Sequence, residues 1–150
     1  MIGLAAIGLA TFAAMEFVSY LVHRYVYHGF LWRVHRSHHT RREGPFELND
    51  VFPLFFASVA IALAVAGFGN SDRSPLVAVA VGMTLYGAVY LLVHDLYIHR
   101  RIKALRLRLP FLVKIKRAHA VHHRDGAEPY GLLLPLRLSR LPAVGEHDEV

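Results

Sequence analysis

Ten of the eleven histidines in this 150-residue chain fall into four clusters with two alternating spacings. His23 and His28 have four residues between them, as do His94 and His99. His35, His38 and His39 form a His-x-x-His-His group, and His119, His122 and His123 repeat it. Neutral imidazole is a strong ligand for iron, zinc, copper or nickel, and ten imidazoles are more than one ion can use. Two ions are therefore expected, with all ten clustered histidines as ligands. Cysteine is absent, which removes disulfides, cysteine nucleophiles and thiolate metal sites, and with the last the usual structural zinc site. Carboxylates are scarce beside the clusters, which argues against the Glu-x-x-His di-iron pattern of soluble bundles. His147, alone in an acidic tail, is expected to stay remote from the site.

On an α-helix, residues three and four apart share a face. His35 can therefore sit beside His38 or His39, and His119 beside His122 or His123. The pairs are harder to place. Residues five apart diverge by about 140° on a regular α-helix, so His23 and His28 meet only at a π-bulge or a helix end.

The elements that carry these residues read as lipid-embedded. Hydrophobic residues make up 55% of the chain, above the 45–50% or so of soluble domains. Three apolar stretches, Ile2–Val22, Val51–Phe68 and Leu76–Val93, approach the roughly 20 residues a helix needs to cross a bilayer. The first lacks the basic n-region of a secretory signal and is read as a retained helix. Gly69–Pro75 carries the Gly, Asn and Pro of a tight connection, so the second and third stretches are expected to form a hairpin. Two crossings then separate the first pair of histidine clusters from the second, which returns both to one membrane face.

The formal net charge is +6 and the pI about 10, a balance that in a soluble protein raises nucleic-acid binding. Its distribution argues otherwise, because fourteen of the seventeen Lys and Arg residues lie in 24–42 and 100–124, beside apolar segments. That is the positive-inside pattern, which is expected to place the histidines at the cytoplasmic face and the N-terminus outside. No nucleic-acid partner is expected. Arg100–Lys116 is too basic to span and reads as interfacial. Leu132–Leu138, broken by Pro135, reads as a re-entrant or surface piece, and 142–150 as a disordered tail. The expected architecture is a single all-α, integral-membrane domain over 1–150 with about three to four spanning helices.

Two carboxylates are candidate partners of the site. Glu16 lies inside the first apolar helix, where an ionisable group is expensive and usually functional; it is either a polar partner of the site or an exposed interfacial residue. Asp95 follows His94 and sits four residues before His99, and it either orients that ring or is simply solvated at a helix end. Phe52, Phe55, Phe56, Tyr86 and Tyr90 either line a slot for an apolar substrate or face lipid and neighbouring helices.

Several segments together resemble the fatty-acid-hydroxylase and sterol-desaturase superfamily, and within it the bacterial β-carotene 3-hydroxylases. They are Met15-Glu16 leading to His23-Arg24-Tyr25-Val26-Tyr27-His28-Gly29, then His35-Arg36-Ser37-His38-His39, and Gly44-Pro45-Phe46-Glu47-Leu48-Asn49-Asp50. Gly82-Met83-Thr84-Leu85-Tyr86-Gly87, Val93-His94-Asp95 with His99-Arg100, and Ala118-His119-Ala120-Val121-His122-His123 continue the likeness. Arg101–Lys116 and Asp125–Gly131 depart from the better-known proteobacterial forms. The resemblance implies a non-haem di-iron monooxygenase that takes one oxygen atom from dioxygen to carbon 3 of each β-ionone ring, turning β-carotene into β-cryptoxanthin and then zeaxanthin.

A saturated ring C–H has no acidic proton, so acid–base groups alone cannot activate it. The implied partners are a lipophilic carotenoid, the bilayer and a ferredoxin or reductase relaying electrons from NAD(P)H. No G-x-G-x-x-G cofactor fingerprint is present in the chain itself. Either an acidic donor docks near Arg100, Arg101, Arg117 and Arg124, or these side chains only bind anionic lipid head groups. Two alternatives stay open: a superfamily oxygenase acting on a fatty acyl, sterol or keto-carotenoid substrate, and a non-enzymatic metal- or haem-binding membrane protein.

Overall fold

In a bilayer every backbone polar group must find its partner within the protein, which favours helices for apolar runs of this length. A computed structural model of the chain, which describes residues 2–40, 44–101 and 109–135, is helical in that way, with no strand among the described residues. The first apolar run forms α1 (Ile2–Leu21) and continues as a π-helical segment, Val22–Phe30, that breaks at Gly29, where φ is −98° and ψ −124°. A short helix, α2 (Trp32–His39), follows. A 3₁₀ turn, Leu48–Asp50, is closed by a reciprocal cap between Glu47 and Asp50 and opens into α3 (Val51–Gly67).

Gly69, at φ 75°, makes the reversal that α4 (Ser74–Tyr90) needs, and Pro75 sits in the first turn of that helix. The chain then winds as a second π segment, Leu91–Ile98. The last helix, α5 (Pro110–Asp125), starts on Pro110 and stops at Gly126, whose φ of 65° lets its N–H reach the His122 carbonyl at 2.8 Å.

Three helical stretches among the described residues are long and apolar enough to cross a membrane: Ile2–Phe30, Leu48–Gly67 and Ser74–Ile98. Each contains one of the apolar runs expected to span, except that Phe68 falls just past the end of the second. Only 11–17% of their apolar windows is buried, so Leu9, Phe17, Leu54, Ile61 and Val65 are exposed to what must be lipid. The basic α5 is not among them. Arg100–Lys116 is described only at 100–101 and from 109 onward, Leu132–Leu138 only to 135, and the tail with His147 lies outside the described residues.

The spans pack through small residues. A Cβ on Gly82 of α4 would collide with the Gly8 carbonyl of α1 and, at 2.7 Å, with Thr11 Cβ; one on Gly67 would meet the Arg73 carbonyl and Val77 at 2.8 Å. At the other end a compact core of Tyr97, Ile98, Ile115 and Leu132, flanked by Tyr90, Val93, Leu112 and Leu133, seats α5 and the segment after it against the second π segment.

Candidate metal centre

Both five-apart histidine pairs lie on π-helical winding, where the i→i+5 bond aligns residues that an α-helix would splay. In the second half the bond joins the pair itself: the His99 N–H donates to the His94 carbonyl at 2.9 Å. The rings come to 4.6 Å, and those of His23 and His28 to 5.0 Å.

The triplets use ordinary helical registers. Rings four apart lie over one face, edge to face at 4.9 Å for His35 and His39 and tilted at 4.5 Å for His119 and His123. The middle histidine of each triplet leans the other way. Consequently the ring nitrogens assemble into two groups, each within 4.8 Å of mutual separation: His23, His28, His35, His39 and His122 in one, and His38, His99, His119 and His123 in the other. His94 adjoins the second group, its Nε2 3.1 Å from that of His38. The two halves of the chain thus exchange their middle histidines, His38 for His122.

What the groups can bind follows from the proton on each ring. Nδ1 of His23 donates to the Tyr130 carbonyl at 2.8 Å and that of His35 to Asn49 Oδ1 at 2.7 Å. His122 Nδ1 donates to the Ala127 carbonyl, His38 Nδ1 to Glu47 at 3.1 Å and His94 Nδ1 to Asp95 at 2.8 Å. A neutral imidazole has one N–H, so each of these rings presents a bare lone pair at Nε2. Those lone pairs face one another: His23 and His35 are 3.0 Å apart at Nε2, His38 and His94 3.1 Å. His123 Nε2 is buried with no hydrogen-bond partner among the described residues.

Confronted lone pairs need a cation between them. A proton is disfavoured, because burial holds His35 and His122 down to about 4 and, with neighbouring imidazoles, pushes His38, His119 and His123 well below the usual histidine range. Nitrogens about 3 Å apart suit two ligands of one ion lying about 2.1 Å from each. An all-nitrogen, thiolate-free donor set of this kind fits first-row transition ions.

Residues 8–138 match the fatty acid hydroxylase family. The chain belongs to that family. Within the fatty acid hydroxylases it is 41% identical to a β-carotene hydroxylase of Pseudescherichia vulneris over 87% of this chain and 76% of the relative. It is 36% identical to that of Pantoea ananas over 93% of this chain and 81% of the relative. Against the chloroplastic β-carotene 3-hydroxylase 1 of Arabidopsis thaliana the figures are 39%, 100% and 49%, so the chain spans about half the length of that plant relative. No solved structure matches it. A fatty acid hydroxylase with clustered imidazoles is a metal-dependent oxygenase in outline.

The remaining candidates take these places. Asp95 accepts from Nδ1 of its neighbour His94, and π winding carries His99 over His94 itself. Glu16 bonds no histidine; it accepts from the Tyr86 hydroxyl at 2.8 Å and from the backbone N–H groups of Leu133 and Leu134 at 2.9 Å each. It thereby straps the segment after α5 to α1, and Gly131 makes room, since a Cβ there would lie 2.9 Å from the Glu16 carboxylate. Arg101, expected on a docking face, turns inward onto Asp50 at 2.6 and 3.2 Å.

Of the aromatic candidates, Phe52 is buried against Tyr27 at 3.8 Å and Tyr90 packs on His94 at 4.5 Å, whereas Phe55 is 61% exposed toward lipid. Sequence reasoning missed Glu47, Asn49, Asp50, Ala127 and Tyr130 as partners of the site. The Phe46–Asp50 segment was a marker of family likeness, and nothing in it spelled out which ring each side chain would meet.

Proposed function

We propose that this chain hydroxylates β-ionone rings of β-carotene at carbon 3, giving β-cryptoxanthin and then zeaxanthin, at a di-iron centre. The observation that carries the reading is the convergence of imidazole lone pairs from both halves of the chain into two groups. The names of the bacterial relatives supply the substrate. His23, His28, His35, His39 and His122 hold one ion, and His38, His94, His99, His119 and His123 the other. When bound, two ferrous ions supply electrons that activate dioxygen toward a C–H bond no side chain can deprotonate.

The chain's own residues position and exclude. Tyr130, Asn49, Ala127, Glu47 and Asp95 lock five rings with Nε2 bare and aimed inward. Ser19, Tyr27, Tyr90, Gly131 and Leu132 line a narrow pocket beside His23, His35, His94 and His119. The strap made by Glu16 fastens the segment that carries Gly131 and Leu132 beside that pocket.

The centre lies at the cytoplasmic face of a bacterial inner membrane, a reading supported by the basic flanks and by the bacterial relatives. Electrons arrive from an acidic ferredoxin-type donor at Arg100, Arg117 and Arg124, without Arg101. Expression in cells that accumulate β-carotene tests the reading: hydroxylated pigment should appear and should depend on dioxygen and iron. Well-expressed protein that leaves the pigments unchanged while a sterol or acyl lipid gains a hydroxyl overturns it.

A further inference from the structure

The two groups of imidazoles are not braced alike. In the first, the Nδ1 partners of His23, His35 and His122 are two peptide carbonyls and a side-chain amide, all neutral. In the second, His38 and His94 donate to carboxylates, Glu47 at 3.1 Å and Asp95 at 2.8 Å. These carboxylates come from opposite halves of the chain and converge on one guanidinium. Arg101 lies 3.6 Å from Glu47 and 3.9 Å from Asp95 while gripping Asp50 through two nitrogens. Asp50 in turn accepts the backbone N–H of Glu47 at 2.9 Å. The assembly is sheltered, with side-chain exposures of 9% for Glu47, 11% for Asp95 and 17% for Arg101.

A carboxylate that accepts the outer N–H of a ligating imidazole lends it negative charge and makes the inner nitrogen a stronger donor. A neutral carbonyl lends less. Shelter from water strengthens the effect, because the interaction falls off less in a low-dielectric surrounding. Three carboxylates against one guanidinium also leave net negative charge beside the second group, and bound cations respond to such local charge.

We propose that the two metal positions are inequivalent: the one formed by His38, His94, His99, His119 and His123 binds a divalent ion more tightly and is more electron-rich, because Glu47 and Asp95, oriented by Arg101, back its ligands. The inference rests on the two-ion reading of the site. Glu47, Asp95 and Arg101 act here as positioning residues, through the rings and not on the substrate.

Titrating the metal-free full chain in detergent with iron-57 as Fe²⁺ under anaerobic conditions tests this, with bound iron and Mössbauer spectra read at each addition. Two ions per chain should enter in two steps, one quadrupole doublet filling before a second with different parameters. Glu47→Gln combined with Asp95→Asn should weaken the first step by about 10–100-fold and leave the second nearly unchanged. Asn49→Leu, which removes the neutral brace of His35, should weaken only the second.

Two ions entering the unaltered chain with equal affinity and one shared doublet overturn the inference, and that arm needs no variant to fold. Equal weakening of both steps by the double substitution overturns it as well. Binding of one ion or none instead overturns the two-ion reading and the inference with it, a result distinct from two equal sites.

Discussion

Where α1 and α4 begin, they touch through absences: Gly8 lies under Ala78, Gly82 under the Gly8 carbonyl, and beside them an open apolar groove is lined by Leu4, Leu9, Val77 and Val81. Where the same two helices end, they touch through named atoms. Tyr86 bonds Glu16, and beyond it ring nitrogens from both halves face one another at 3.1 Å, His28 with His122 and His38 with His94. The first region asks only for small volume, and many sequences satisfy it. The second asks that each N–H have one acceptor and each lone pair one direction, because an unmatched buried polar group costs about 1–3 kcal/mol. Close packing of glycines brings the helices near enough; the polar end then determines their rotation and the chemistry.

The largest expected break in that contrast comes at the histidine end. His122→Ala removes a fully buried ring from the group otherwise drawn from the first half. Pigment hydroxylation should fall to background and bound iron by at least one ion per chain, while circular dichroism keeps its helical signal. Retained iron and activity would mean that the exchange of middle histidines is incidental.

Acid should separate the two ends next. With metal removed, His35 and His122 take up protons only near pH 4 when folded, against about 6.5 when unfolded. The unfolded state therefore binds more protons between those values. Their contribution is full above about pH 6.5 and is lost as pH falls toward 4, at up to about 1.4 kcal/mol per unit for each ring. Trp32, the single tryptophan, lies 5.1 Å from His28 and 5.3 Å from His39 and reports this end by fluorescence. Its thermal midpoint should drop through that window, and a midpoint flat from pH 7 to 4 would contradict the neutral, buried state of these rings.

Gly82→Val probes the opposite end. The new side chain meets backbone and Thr11 Cβ, which cannot swing aside, so the helices must part at a cost of about 1–3 kcal/mol. A lowered thermal midpoint with the iron content of the surviving folded protein unchanged is expected; iron loss without a change in midpoint would reverse the roles assigned to the two ends. The smallest effect belongs to Phe55→Ala. Its ring faces lipid, so midpoint and activity should stay within about 0.5 kcal/mol and a factor of two or so of the parent.

Much of this was legible in the residues. Apolar length marked the spans, because a bilayer core demands about 20 residues of helix. An even number of crossings required both histidine halves on one side, and a five-residue spacing required π winding or a helix end, since regular α-helix turns such residues apart. Those conclusions need only local geometry and counting.

Which rings would share an ion was a tertiary matter. Spacing states the face on which His38 or His122 stands, but the group that face meets depends on how α2 and α5 are rotated toward each other, and contacts remote in sequence set that rotation. The same holds for the braces: Asn49 reaches its ring from a single 3₁₀ turn, and Ala127 and Tyr130 reach theirs from the segment after α5, with no period to read. Arg101, by sequence one basic residue among many, was drawn inward because Asp50, Glu47 and Asp95 happen to converge where it emerges. Local periodicity and charge run along the chain, whereas the pairing of donors with acceptors is decided across it, only when the packed helices bring the two together.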